Sequence, residues 1–423
     1  MKRALWVTLV VVLLVSSWSM VCTAETIELR VAWWGSQDRH NRTLGAIELF
    51  EKKYPDIRVE AEFSSWNGYW ERIAAQAAGG NLPDVFQQDM QYIDLYASRD
   101  LMLDLNPYVE NGVLDLSNVD ESFIVGGRIG GELYAVNLGS NSLVGVYDPE
   151  LYAKADIPEP VPEWTWDEYM ATARALHTAL GIYADGGIPG GAFHGLQHYL
   201  RQHGYSIYAK DGKGLGYDDD ELFAEFFNMD VQLAQEGVLP GMAERKEVTS
   251  PENELLVTGH AATAWMHSNQ IVAMSAVADR PLAMRMMPKH KDQVKEGHYI
   301  KPSQFFSVAK SSEHKEAAVK FIDFITNDVE ANQILMAERG VPISSKVREA
   351  LEPLLNEVQK QTFDYVALVA NHASPIEPPE PAGHPEVNRL LDDLHEQMLF
   401  GVLTPTEAAK EFRQEANRIL ERQ

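Results

Sequence analysis

The 423-residue chain contains a single cysteine, Cys22, and its most apolar run extends only from Ala4 to Val15. One cysteine excludes an internal disulfide, so stability has to come from packing even in an oxidising compartment. The apolar run follows Lys2 and Arg3 and is too short to span a bilayer comfortably, so residues 1–24 read as a secretory signal. Two processing readings stand. Cleavage after Ala24 discards the cysteine, whereas lipid attachment at Cys22 retains it, although Val21 is an unusual neighbour for such a site. On both, the chain is exported and its expected location is periplasmic or extracytoplasmic.

Basic charge is also scarce, with 36 Lys and Arg against 62 Asp and Glu, a net charge of −26. Such a field repels nucleic acid and anionic membrane surfaces. The run Asp218 to Glu221 reads as the acidic start of a helix carrying Leu222, Phe226 and Phe227, because EF-hand spacing is absent. Catalytic signatures are missing too. No His-Glu-x-x-His occurs, "GSNSLVG" is not a nucleophile elbow and "KDGKGLG" is not a phosphate loop. His194 and His198 are four apart and could share a helix face, but no third metal ligand follows at suitable spacing. No cofactor and no metal are expected.

What the chain does have is tryptophan at the ends of elements, and a length that implies two domains. Leu29, Val31 and Trp33 alternate as a strand; Leu44, Ile47 and Phe50 have helical spacing up to Pro55; Ile57, Val59, Ala61 and Phe63 alternate again. Strand, helix and strand in that order predict a right-handed parallel unit and an α/β fold. A helix from Arg72 ends at Gly79-Gly80, and Pro83 to Phe86 opens a third strand leaving at Gln87, Gln88 and Asp89. Helical spacing dominates Trp166 to Leu180, Gly195 to His203 and Leu222 to Gln235. Ala261 to Trp265 and Phe305 to Ala309 read as strands, Lys315 to Ala337 as one helix, and Pro375 to His384 as an extended segment on the outside. Ligands of open α/β sheets collect at the carboxyl ends of strands, and there Trp34 can face a cleft while Trp33, by parity, joins the core.

The ordered segments Ala32 to Asp89, Tyr134 to Ile157, Trp164 to Leu176 and Glu316 to Asp328 resemble the sugar-binding extracellular solute-binding proteins of ABC importers, family 1, maltose-binding-protein-like. The resemblance implies a two-lobed periplasmic-binding-protein fold with three interlobe crossings, near Val136 to Gly139, Trp265 to Asn269 and Phe324 to Asp328. It assigns 25–138 plus 268–325 to an N-terminal lobe and 139–267 plus 326–423 to a C-terminal lobe. A monomer is expected that captures a carbohydrate by hinge closure and delivers it to membrane permease subunits.

A sugar needs flat aromatic surfaces and side chains that bond neighbouring hydroxyls. The resemblance places Trp34, Trp66, Gln88, Asp89, Asn141, Trp265 and Ser303 in the cleft; Gly35, Ser268 and Asn269 adjoin them, and Trp166 is a further candidate. Each has a plainer reading: Trp66 as a core plug, Asp89 as a helix cap, Asn141 as a turn residue, Trp164 and Trp166 as helix staples. Segments such as "WWGSQDRH" look similar to binding proteins for pectin-derived oligogalacturonides. A uronate would want a bidentate arginine, for which Arg39 is the candidate, with Arg201 and Lys301 deciding less. A secreted glycoside hydrolase and an importer receptor for a polyamine, metal or phosphate ester are the competing readings.

Overall fold

A computed structural model describes residues 26–422 apart from Ser36, Pro160 and Pro379; the expected signal segment and Cys22 lie outside the described residues. Two sheets organise the chain. The first has the order β2-β1-β3-β11-β6, from strands β1 (Ile27–Trp34), β2 (Ile57–Ser64), β3 (Val85–Gln88), β6 (Val136–Asn141) and β11 (Lys301–Val308). β1 runs parallel to β2 and β3, as the strand-helix-strand pattern requires, and β11 lies antiparallel between β3 and β6. The second has the order β10-β7-β9-β8, from β7 (Leu143–Tyr147), β8 (Tyr183–Asp185), β9 (Ala261–His267) and β10 (Ala283–Arg285). Strands β4 (Arg128–Ile129) and β5 (Glu132–Leu133) form a separate small hairpin.

Side-chain parity distributes β1 between two cores. Leu29, Val31 and Trp33 face the helices Gln37–Lys53 and Lys315–Asn327, while Ala32 and Trp34 face Trp66–Ala78 and Met90–Ser98. The first of these cores continues beneath the second sheet through Val144, Val146 and Met266 to Tyr365 and Val366. The other face of the second sheet is covered by the helices Trp166–Leu180, Gly191–Gln202, Asp220–Gln235, His384–Leu399 and Pro405–Leu420. Asp219 caps the third of these by accepting from the Glu221 amide, the role expected of the acidic run.

Four expectations change. β10 pairs with β7, so the second passage between sheets lies between Arg285 and Lys301 and not near Trp265 to Asn269. The third is displaced from Phe324 to Asp328 as well: the helix Val329–Leu335 still packs on Gln37–Lys53, and Val341 bridges Ser140, so the chain leaves the first sheet after Leu351. The single helix expected over Lys315 to Ala337 is two helices, because Asp328 turns extended and caps the second one through the Ala331 amide. Pro375 to His384 does not lie wholly outside either. Ile376 packs on the Trp34 core, and Glu377 pairs with Arg201 and Lys295.

Candidate functional site

Aromatic rings gather where β1 and β3 end. Trp34 packs edge-on against Trp66, with centroids 4.9 Å apart and planes at 88°, and against Tyr69 at 5.1 Å; Trp70 lies 5.6 Å from Trp66 and 4.0 Å from Tyr92. Trp34 is only 7% exposed and Trp33 is buried, whereas Trp66 is 37% exposed. Neither indole of β1 leaves the core. Trp66, on the first turn of its helix, carries the accessible ring, with Trp34 fixing it from beneath.

Gln88 stands on the Trp34 face at the end of β3, fully buried, and neither atom of its amide has a hydrogen-bond partner. Buried amides are rarely left so, and a water or a ligand hydroxyl is the natural partner for such an atom. Asn141 repeats the pattern at the end of β6: its Nδ2 donates to Ser303 Oγ at 2.8 Å, and its Oδ1 has no partner. Asp89 is half-buried, and its carbonyl receives the amides of Tyr92 and Ile93 at the start of a helix.

Across the second sheet, Trp265 stacks against Trp164, 6.3 Å away at 13°. The Arg285 guanidinium lies 4.5 Å from the Trp164 ring centre and 4.8 Å from that of Trp265, and bonds Tyr152, Thr263 and Asp185. Gly145 gives the indole its space, since a Cβ there would meet the Trp265 ring at 2.6 Å. Trp265 lines a cavity of about 520 Å³ whose walls include Gly186, Gly187, Glu254, Met242, Asp392 and Glu396. That volume lies within the range of small-molecule sites. Burial holds Asp185 up, against the Arg285 charge and its hydrogen-bonding neighbours.

Burial also pushes the Glu254 carboxyl up to about 7, opposed by a hydrogen bond from the Leu255 amide. An unfolded chain releases this proton near the ordinary glutamate value. Between about pH 4.5 and 7 the folded state therefore holds a proton that the unfolded state has lost, and stability falls as pH rises through that window. Glu254→Gln is expected to flatten that part of the profile. Urea midpoints at pH 5 and pH 7 measure it, and an unaltered slope contradicts the assignment.

The remaining sequence candidates have structural partners. Arg39 donates Nε to Glu338 at 2.7 Å and lies along Gly35, where a Cβ would sit 2.3 Å from Arg39 Cδ; the glycine makes room for the arginine. Trp166 is buried in the core of the second sheet with its Nε1 on Gln202, which makes it a packing residue. Ser268 is buried, and its Oγ accepts from the Ser142 amide, tying β9 to the start of β7; Asn269 is exposed in the following turn. His198 is buried against the Pro288 carbonyl, and no group of three metal-ligating side chains occurs among the described residues.

Sequence reasoning missed Glu254, the Arg285 sandwich and the buried set Asp230, Arg245 and His395, because none has a local spacing signal. Arg245 bonds both oxygens of Asp230 at 2.7 and 2.8 Å, and His395 Nε2 lies 2.6 Å from the same carboxylate, so three elements converge beneath the cavity.

The sequence model described as bacterial extracellular solute-binding protein matches residues 41–332. An extracellular solute-binding protein family 1 from Alicyclobacillus acidocaldarius subsp. acidocaldarius is similar at 29% identity and TM-score 0.85, covering 94% of this chain and 99% of its own. A periplasmic oligogalacturonide binding protein from Yersinia enterocolitica is similar at 25% identity and TM-score 0.78 over the same shares. In complex with saturated digalacturonic acid, that Yersinia protein matches with a TM-score of 0.71, again at 25% identity and with 94% and 99% covered. With its two mixed sheets and its aromatic groups at strand ends, the chain belongs to the bacterial extracellular solute-binding protein family.

Proposed function

We propose that this chain is the monomeric receptor of an ABC importer, which captures an oligosaccharide between its two sheet-based halves and delivers it to permease subunits. The observation that carries this reading is the pairing of exposed or cavity-lining indoles, Trp66 and Trp265, with the unpartnered Gln88 amide and the unpartnered Asn141 Oδ1. Indoles stack on the C–H flank of a pyranose, and amides bond two adjacent hydroxyls. The halves articulate where the chain passes between sheets, at 141–143, 285–301 and 351–357, and closure over the ligand brings the two aromatic groups to one sugar. Uronate-containing oligomers are the leading class, since the similar Yersinia protein is named for binding oligogalacturonide.

Isothermal titration against neutral and acidic oligosaccharides tests this, with saturable one-to-one binding of at least one as the expected result. Chromogenic glycosides should pass through unhydrolysed; turnover favours a glycoside hydrolase instead. The carboxylates of Glu254, Asp392, Asp393 and Glu396 around the cavity keep a cationic solute as the second reading, so a polyamine belongs in the same titration.

A further inference from the structure

Four arginines near the two aromatic groups are ion-paired: Arg39 with Glu338, Arg201 with Glu377, Arg245 with Asp230 and Arg285 with Asp185. Lys301 is different. It opens β11, half-buried, and no carboxylate lies within ion-pair distance of it among the described residues. In register it stands opposite Asn141, whose Oδ1 has no partner. His267 stands opposite Leu143, two residues beyond Asn141, which brings it to the Lys301 end of β11. The His194 and His267 rings meet edge to face with centroids 5.2 Å apart, and His194 Nδ1 and His267 Nε2 are both buried without a hydrogen-bond partner. Four elements thus bring one ammonium, two imidazoles and one amide to the hinge side of Trp265: His267 lies two residues beyond Trp265 on the same face of β9, and its ring contact with His194 brings in the helix Gly191–Gln202.

We propose that Lys301, His194 and His267 form a subsite for a carboxylate carried by the ligand, with Asn141 Oδ1 beside it placed to accept from a sugar hydroxyl, so that the receptor selects an acidic sugar. This rests on the reading of the chain as an oligosaccharide receptor. A half-buried ammonium with no carboxylate at ion-pair distance, beside two imidazole nitrogens without partners, is unfavourable for the empty fold. A carboxylate accepts from an ammonium and from two imidazole N–H groups, which turns the same collection into a set of charge-assisted bonds. Both imidazoles are held below their ordinary value, foremost by burial, and His267 reaches about 3, so neither supplies a competing fixed charge of its own at neutral pH. The other charged and titratable groups at His194 are Glu380, which opposes this lowering, and His384, which adds to it. Arg39, engaged with Glu338 beside the Trp34 core, leaves the carboxylate role to Lys301.

Isothermal titration of the full chain with digalacturonic acid and with neutral galactobiose reads out the subsite as the ratio of the two affinities. The wild type should prefer the acid. Lys301→Met is expected to reduce that preference at least tenfold, His267→Gln to reduce it as well, and Lys301→Arg to preserve it, with thermal melts reporting that each variant is folded. An unchanged ratio in both Lys301→Met and His267→Gln overturns the subsite. So does a wild type that binds galactobiose or another neutral saccharide but not the acid, an outcome that leaves the saccharide receptor standing. If no saccharide binds at all, the reading on which the subsite rests falls with it.

Discussion

Replacing Asp230 with alanine is expected to destabilise the chain by about 3–5 kcal/mol, the usual range when one partner of a buried ion pair is removed. Asp230 is fully buried, and its carboxylate takes both Arg245 donors and His395 Nε2. Without it, the guanidinium keeps only its Nε bond to the Pro240 carbonyl and the imidazole loses its carboxylate, while the helices Asp220–Gln235 and His384–Leu399 lose their polar link. Burial alone would raise the Asp230 carboxyl, but the Arg245 charge and the hydrogen bonds from Arg245 and His395 outweigh it and hold it well below the usual carboxylate range. Its stabilising effect is therefore present above the ordinary aspartate value and is lost as pH falls towards the depressed folded value. Urea unfolding of Asp230→Ala and wild type at pH 7 measures the difference. A loss under about 1 kcal/mol would mean that the cluster contributes no more than a surface pair.

The second large effect concerns binding. Trp265→Ala should weaken saccharide affinity by roughly 30- to 700-fold, the about 2–4 kcal/mol typical of a buried aromatic anchor. One face of this indole is occupied by Arg285 and Trp164, which hold the ring in place, and the remainder lines the cavity. Truncation removes the stacking surface and also frees Arg285 to move into the cavity. Trp265→Phe keeps a flat ring between the same neighbours and should retain most of the affinity. Titration of both variants with the best-bound oligosaccharide separates lost stacking from lost packing, and equal losses in the two would argue against a stacking role.

Much of the architecture was legible from local pattern. Alternation in Ile27 to Trp33, helical spacing up to Pro55 and alternation again from Ile57 specify a parallel unit, and β1 and β2 pair in that way from end to end. Parity also placed Trp33 correctly in the core. It could not show that Trp34 would be covered, because the cover comes from Trp66, Tyr69 and Trp70 on a helix more than thirty residues downstream. Arg39 illustrates the same limit: its partner Glu338 is 299 residues away and no spacing announces it. The passages between sheets were misplaced for a related reason, as β10 is three residues long and is defined by pairing with β7 rather than by any pattern of its own. Gln88 and Asn141 could be named from the resemblance, but only the structure reveals that the Gln88 amide and Asn141 Oδ1 are buried without partners. Burial of a polar atom is a tertiary property, and a single sequence carries no direct trace of it.

The most direct test of saccharide capture is a crystal structure of the full chain grown with the oligosaccharide that binds it best. The expected result is a pyranose stacked on Trp66 and Trp265, with its hydroxyls bonded by the Gln88 and Asn141 amides. A sugar bound elsewhere, with the Gln88 amide and Asn141 Oδ1 still unpartnered and both indoles untouched, would contradict it.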